Sequence, residues 1–158
     1  MSNVSVFDKP SPYRRPCSYI VYFWFNNGEQ TVTLPVVPPD FPMNLPEQNN
    51  EIYSGLSLDY NRIGTYALQK MSWSSFFPVC KRRQPYMPEG AFLDGWKYIQ
   101  FFKEGRDRKI PFRIMVWDVE NFSMRLNMPC TVDSLDYTVA RNGYIHYTIS
   151  LTEYRFIE

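Results

Sequence analysis

The sequence predicts an α+β domain that is mainly β: an antiparallel β-sandwich or partial barrel with one packed helix at about residues 89–105. Three observations predict it. β-Branched and aromatic runs recur along the chain with polar residues interleaved at a period of two, the pattern of half-buried strands. Asn27-Gly28 and Asn142-Gly143, which reach positive φ easily, stand between adjacent runs as turn signals. Only one segment repeats its apolar residues at steps of three and four, as a helix face does.

Taken in order, Pro10, Pro12 and Pro16 surround Tyr13, Arg14 and Arg15. Prolines this dense remove N–H donors and block helix and ladder alike, so residues 1–17 read as a Pro-rich extended arm and 18–158 as a single β-rich domain. Ser18 to Phe25 and Gln30 to Leu34 form a hairpin. Pro35, Pro38, Pro39, Pro42 and Pro46 then stiffen a loop that carries Phe41, and pairing resumes near Asn50 to Leu58. From Gly64 to Phe77 the alternation predicts one strand, ended by Pro78. Between Glu89 and Arg106, Phe92, Trp96, Ile99 and Phe102 mark one face of the helix, with Gly105 placed as its C-terminal cap. Three strands follow, at Pro111 to Asp118, about Phe122 to Arg141, and Tyr144 to Phe156. In the last, Ile145, Tyr147, Ile149 and Leu151 share one face, while His146, Thr148, Ser150 and Thr152 share the other. Runs of strands on both sides of one helix point to an antiparallel layer that the helix covers.

The chain has 158 residues, 17 Lys+Arg and 16 Asp+Glu, for a net charge of +1, so no bulk charge excess draws it to nucleic acid or an anionic membrane. Aromatic residues make up 18 % of the chain, about double the usual share, and such rings need a wide core or a partner surface. The longest apolar stretch, Tyr19 to Phe25, is far short of the roughly 18 residues that span a bilayer. The start has no basic segment followed by an apolar run, and the expected compartment is the cytosol. Cys17, Cys80 and Cys130 are odd in number and far apart, which predicts reduced, buried thiols rather than a disulfide frame or a zinc site.

Few residues here are arranged for chemistry. His146 is the only histidine, so a metal site or a catalytic triad would lack its usual partners. Asp118 with Glu120, or Asp133 with Asp136, could be offered as an acid and base pair, yet neither pair belongs to an assembled motif. Ser72, Ser74 and Ser75 lack the glycines of a nucleophile elbow, and the seven glycines form no phosphate cradle. Basic residues cluster at Arg14-Arg15, Lys81-Arg82-Arg83 and Arg106 to Lys109, near Tyr13, Tyr86 and Phe112. That clustering keeps a single-stranded nucleic-acid-binding β module as an alternative, although acidic residues balance the basic ones. No catalytic, cofactor or metal residues are expected.

Three segments together resemble a known pattern. They are Lys70-Met-Ser-Trp-Ser-Ser-Phe-Phe-Pro78; the segment around Trp96 and Phe102 followed by Arg108-Lys-Ile-Pro-Phe-Arg113; and Tyr144-Ile-His-Tyr-Thr-Ile-Ser-Leu-Thr-Glu-Tyr-Arg155. Their order resembles the N-terminal domain of the LysM-containing baseplate proteins of contractile phage tails and PBSX-like prophages, over about Ser18 to Glu158. The resemblance implies a structural protein, not an enzyme, that joins the central tube and spike hub to surrounding baseplate parts. Its implied partners are baseplate, spike and tube-initiator proteins, with several copies in a ring-like assembly and neither nucleic acid nor membrane. The sequence stops at Glu158 without a LysM module, so LysM-mediated docking is not carried over. On composition, the arm, the Pro35 to Pro46 loop and the basic cluster are the expected contacts: Tyr13, Arg14, Arg15, Phe41, Lys81, Arg82, Arg83 and Tyr86.

Overall fold

The computed structural model describes residues 19–26, 28–38, 40–88 and 90–157, so the arm at 1–17 lies outside the described residues. Eight strands and one helix follow in the order β1 (Tyr19–Phe25), β2 (Gln30–Thr33), β3 (Glu51–Ser54), β4 (Asp59–Arg62), β5 (Lys70–Phe77), α1 (Trp96–Asp107), β6 (Phe112–Asp118), β7 (Ser123–Val139) and β8 (Ile145–Glu153). Six of them form one antiparallel sheet in the order β2-β1-β6-β7-β8-β5, curled into a half-barrel; β3 and β4 pair only with each other. The expected mainly β fold with one helix is the observed one.

Alternation decides which face is inside. Phe25, Phe112 and Cys130 are register partners across β1, β6 and β7, as are Phe23, Ile114 and Met128 in the next row. All six are buried, and the row of Ile145, Tyr147, Ile149 and Leu151 on β8 continues that face as expected. The helix closes the concave side with rings: Phe102 lies edge-on to Phe23 at 5.1 Å, Phe101 is 5.1 Å from Phe25, and Tyr98 stacks on Phe77 at 4.8 Å. The Tyr98 hydroxyl donates to the Thr33 carbonyl and accepts from the Phe92 N–H at 2.9 Å, tying β2 and the pre-helix loop to the core.

Strand β7 explains the curl. Its residues up to Cys130 pair with β6, and those from Cys130 onward pair with β8, so a single strand passes from one neighbour to the other. Bulges at Val116/Trp117 and Val132/Ser134 add twist on either side of that point. Among the described residues, the stretch from Thr131 to Val139 therefore has a strand on one side only.

The helix begins later than its periodicity predicts. The carbonyl and carboxylate of Asp94 accept from Lys97 N–H at 3.2 Å and Trp96 N–H at 3.1 Å, which starts the first turn there and leaves Phe92 in the preceding loop. Trp96 is 41 % exposed, and the buried face is Tyr98, Ile99, Phe101, Phe102 and Gly105. Gly105 is thus an interior helix residue rather than a cap. The helix ends at a Schellman motif in which Ile110 N–H reaches the Gly105 carbonyl and Lys109 N–H the Arg106 carbonyl, with Lys109 at φ 58° where glycine is usual. The predicted strand over Gly64 to Phe77 is also shorter, since its first half instead pairs back at Gln48–Tyr66 as the foot of the β3–β4 ribbon. Both turn signals do sit in hairpins, with Gly28 at φ 84° and Gly143 at φ 91°.

Candidate interaction surface

The β3–β4 ribbon stands away from the core. Each of its eight strand residues is exposed, and so are the chain positions around it: Ile52 is 76 %, Leu56 110 %, Leu58 65 % and Ile63 74 % exposed. Its backbone is nonetheless well formed, with Gly55 N–H on the Leu58 carbonyl at 2.7 Å and Tyr53 stacked on Tyr60 at 5.9 Å. A lone two-stranded ribbon is marginal in water, and this one is steadied at its foot. There Arg155 donates to the carbonyls of Tyr66 and Ala67, and Gln48 donates to that of Gly64. An apolar tip on a polar stem has no role in the chain's own core, because the core is complete without it. The ribbon's charges are Glu47, Glu51 and Asp59 against Arg62, an acidic balance.

A second surface lies along the open side of β7. A cleft of about 430 Å³ separates α1 from the distal half of that strand, lined by Ile99, Phe102, Lys103, Arg106, Asp107, Leu135 and Tyr137. Tyr137 is 44 % exposed and meets the half-exposed Trp96 edge-on at 6.0 Å. Lys103 pairs with Asp107 at 3.0 Å, and Arg106 adds positive charge beside them.

The expected contact residues divide. Tyr13, Arg14 and Arg15 lie outside the described residues. Lys81 and Arg82 are exposed on the loop after β5. Arg83 is committed within the chain, since its guanidinium donates to the Pro88 carbonyl at 2.8 Å and the Ala91 carbonyl at 3.1 Å and shapes that loop. Phe41 turns inward, its ring 4.8 Å from Trp73, and Tyr86 is half-buried beside Phe76 with its phenol pushed up to about 12, by burial first and then by its bond with Tyr144. The ribbon is the surface that sequence reasoning missed. The signal for it was Ile52, Leu56, Leu58 and Ile63 among polar residues, with no second apolar face to pack against.

Several of the residues weighed for chemistry bond within the chain. Asp118 is buried and accepts from Asn121 N–H at 3.2 Å, Asn121 Nδ2 at 2.9 Å and Arg125 Nη2 at 3.0 Å, locking the β6–β7 turn. The Asn121 bond leads in holding its carboxyl below the usual range, with Arg125 adding to it. Asp133, freed from the register by the bulge, accepts from the hydroxyls of Thr131 and Thr152. Ser72 and Ser74 bond across to Ser150 and Thr148, and His146 is exposed near Phe76. Cys130 is fully buried with its thiol pushed up to about 12, chiefly by that burial, whereas Cys80 is half-buried. Among the described residues, no group of three or more His, Cys, Asp or Glu converges as a metal site would require. No helix among them is long and apolar enough to cross a membrane.

No protein-family model matches the chain. It is similar to the uncharacterized protein YqbP of Bacillus subtilis (strain 168), 24 % identical over 138 residues, which cover 86 % of this chain and 60 % of that protein. The chain therefore spans less than two thirds of the relative's length.

Proposed function

We propose that this protein is a structural component of a contractile-tail baseplate, joining the tube and spike hub to the surrounding parts through protein–protein contacts. The observation that carries this reading is the β3–β4 ribbon: seventeen or so residues of ordered, apolar-tipped backbone that bury nothing in their own domain. A surface of that kind gains its stabilisation from a partner. The ordered match of the Ser-Phe-Phe-Pro strand, the helix and the closing Leu-x-Glu-Tyr-Arg strand supplies the choice of machine. The partners would be spike, tube-initiator and other baseplate chains, with several copies around the axis, after synthesis in the bacterial cytoplasm.

The nucleic-acid alternative draws no support from the outer face of β5, β8 and β7. That face carries Ser72, Ser74, Thr148, Asp136 and Asp133, with rings only at its Phe76 and His146 end and Lys70 as the one Lys or Arg within the strand pairs, where a single-strand binder needs several cations among its stacking rings. The test is to induce the source bacterium to make tails, sediment them, and quantify this 18.8 kDa chain by mass spectrometry. A fixed ratio to spike and sheath proteins is expected; absence from intact tails would overturn the reading.

A further inference from the structure

We infer that two copies of this chain join head to tail, the β3–β4 ribbon of one entering the cleft between α1 and the distal half of β7 of the next. This names the contact between copies in the assembly proposed above, and it rests on that reading only for the presence of many copies.

Three features of the chain argue for it. Among the described residues, the stretch Thr131 to Val139 offers an unpaired strand edge and the ribbon offers two, so backbone can pair with backbone as in strand addition. The apolar parts match in kind: Leu56, Leu58 and Ile52 on the ribbon against Trp96, Leu135 and Tyr137 at the cleft, aromatic anchors of the type that dominate interfaces. The charges are opposite, Glu47, Glu51 and Asp59 exceeding Arg62 on the ribbon, and Lys103 and Arg106 exceeding Asp107 at the cleft. Ribbon and cleft are different patches, so the contact is heterologous: each bound copy leaves one ribbon and one cleft free, and growth continues until a ring closes.

The test is sedimentation velocity of the purified full chain, from micromolar to several hundred micromolar, with one ribbon variant, two cleft variants and a ribbon–cleft mixture. Leu56→Asp with Leu58→Asp disables the ribbon, and Tyr137→Asp disables the cleft; circular dichroism and melting confirm that each is folded. Arg106→Glu gives a second cleft variant, on an exposed helix position that the core does not use. Wild type should form dimers and larger species that weaken with added salt, and each variant alone should associate about tenfold or more less tightly. The mixture is decisive. A ribbon-dead chain has an intact cleft and a cleft-dead chain an intact ribbon, so together they should form heterodimers and nothing larger. The inference is overturned if wild type stays monomeric throughout. It is equally overturned if ribbon variants lose association while both cleft variants keep it, which would mean ribbon-to-ribbon pairing, or if the mixture forms no heterodimer. Absence of the chain from tails alongside intact head-to-tail association would sink the baseplate reading and leave this contact standing.

Discussion

Gly105→Ala should destabilise the protein, although the same change in an ordinary helix interior gains about 1 kcal/mol. The reason is Phe112. A Cβ at position 105 would lie 2.2 Å from its Cζ and 2.6 Å from its Cε1, where a relaxed carbon contact needs ~3.5–4.0 Å. The ring has nowhere to go, because Phe25, Phe101 and Phe102 hold it at centroid distances of 5.6, 5.5 and 5.6 Å. Overpacking costs about 1–3 kcal/mol, and a clash this close against a fixed ring belongs at the top of that range, leaving a net loss of about 2 kcal/mol after the helix gain. Phe112→Leu removes the three ring carbons that clash. In that background Gly105→Ala should stabilise by about 1 kcal/mol, so the pair couples by about 3 kcal/mol. Urea titrations of the four proteins with equal slopes give the cycle. Stabilisation by Gly105→Ala in the wild-type background, or additivity of the two changes, would refute the argument.

Lys109→Gly should raise stability by about 0.5–1 kcal/mol, since Lys109 holds the left-handed position of the Schellman motif at φ 58°; thermal melts of the two proteins check it. Tyr98→Phe should cost about 2–4 kcal/mol in a urea titration, because it strands the buried Thr33 carbonyl and the Phe92 N–H. For Asp118 the carboxyl is lowered on folding, so its stabilisation is complete above the pKa of the unfolded chain and disappears as pH falls through the folded value. Melting temperature followed downward from pH 6 should therefore drop less steeply in Asp118→Asn than in wild type, while the variant is the less stable of the two at pH 7. Parallel curves would remove Asp118 from the acid response.

The strands were legible where one face meets the core. On β8 the two-residue period is imposed by burial and appears intact in the amino acids, whereas β1 showed itself as an unbroken β-branched and aromatic run. It misled at Gly64 to Gln69, because a ribbon exposed on both faces also tolerates alternation and no buried face selects between them. The helix was legible as a period but not at its ends. Asp94 sets the start through a local hydrogen bond, while Gly105 was read as a stop because glycine is frequent after helices, though here it is small to admit Phe112. That reason lies across the fold, in a residue seven positions on, and no local pattern carries it. Of the expected contacts, Arg83 and Phe41 looked like surface residues by type alone, and both spend their contacts inside the chain. The ribbon–cleft pair needed the handover of β7 at Cys130, a pairing between distant strands that composition does not record.

The way the ribbon joins the sheet sets how it would carry load. Tension on its tip runs down β3 and β4 side by side, along covalent backbone, while the hydrogen bonds between them lie crosswise to the pull. One of the two legs passes Gln69, whose carbonyl accepts from the Glu153 N–H and whose N–H donates to the Glu153 carboxylate, and enters β5. All eight residues of β5 are in register with β8, so a pull along that strand strains every rung together instead of unzipping them singly. The slender projection would thus act as a tether whose anchorage resists stretching, a mechanical property suited to parts that stay joined while their surroundings move.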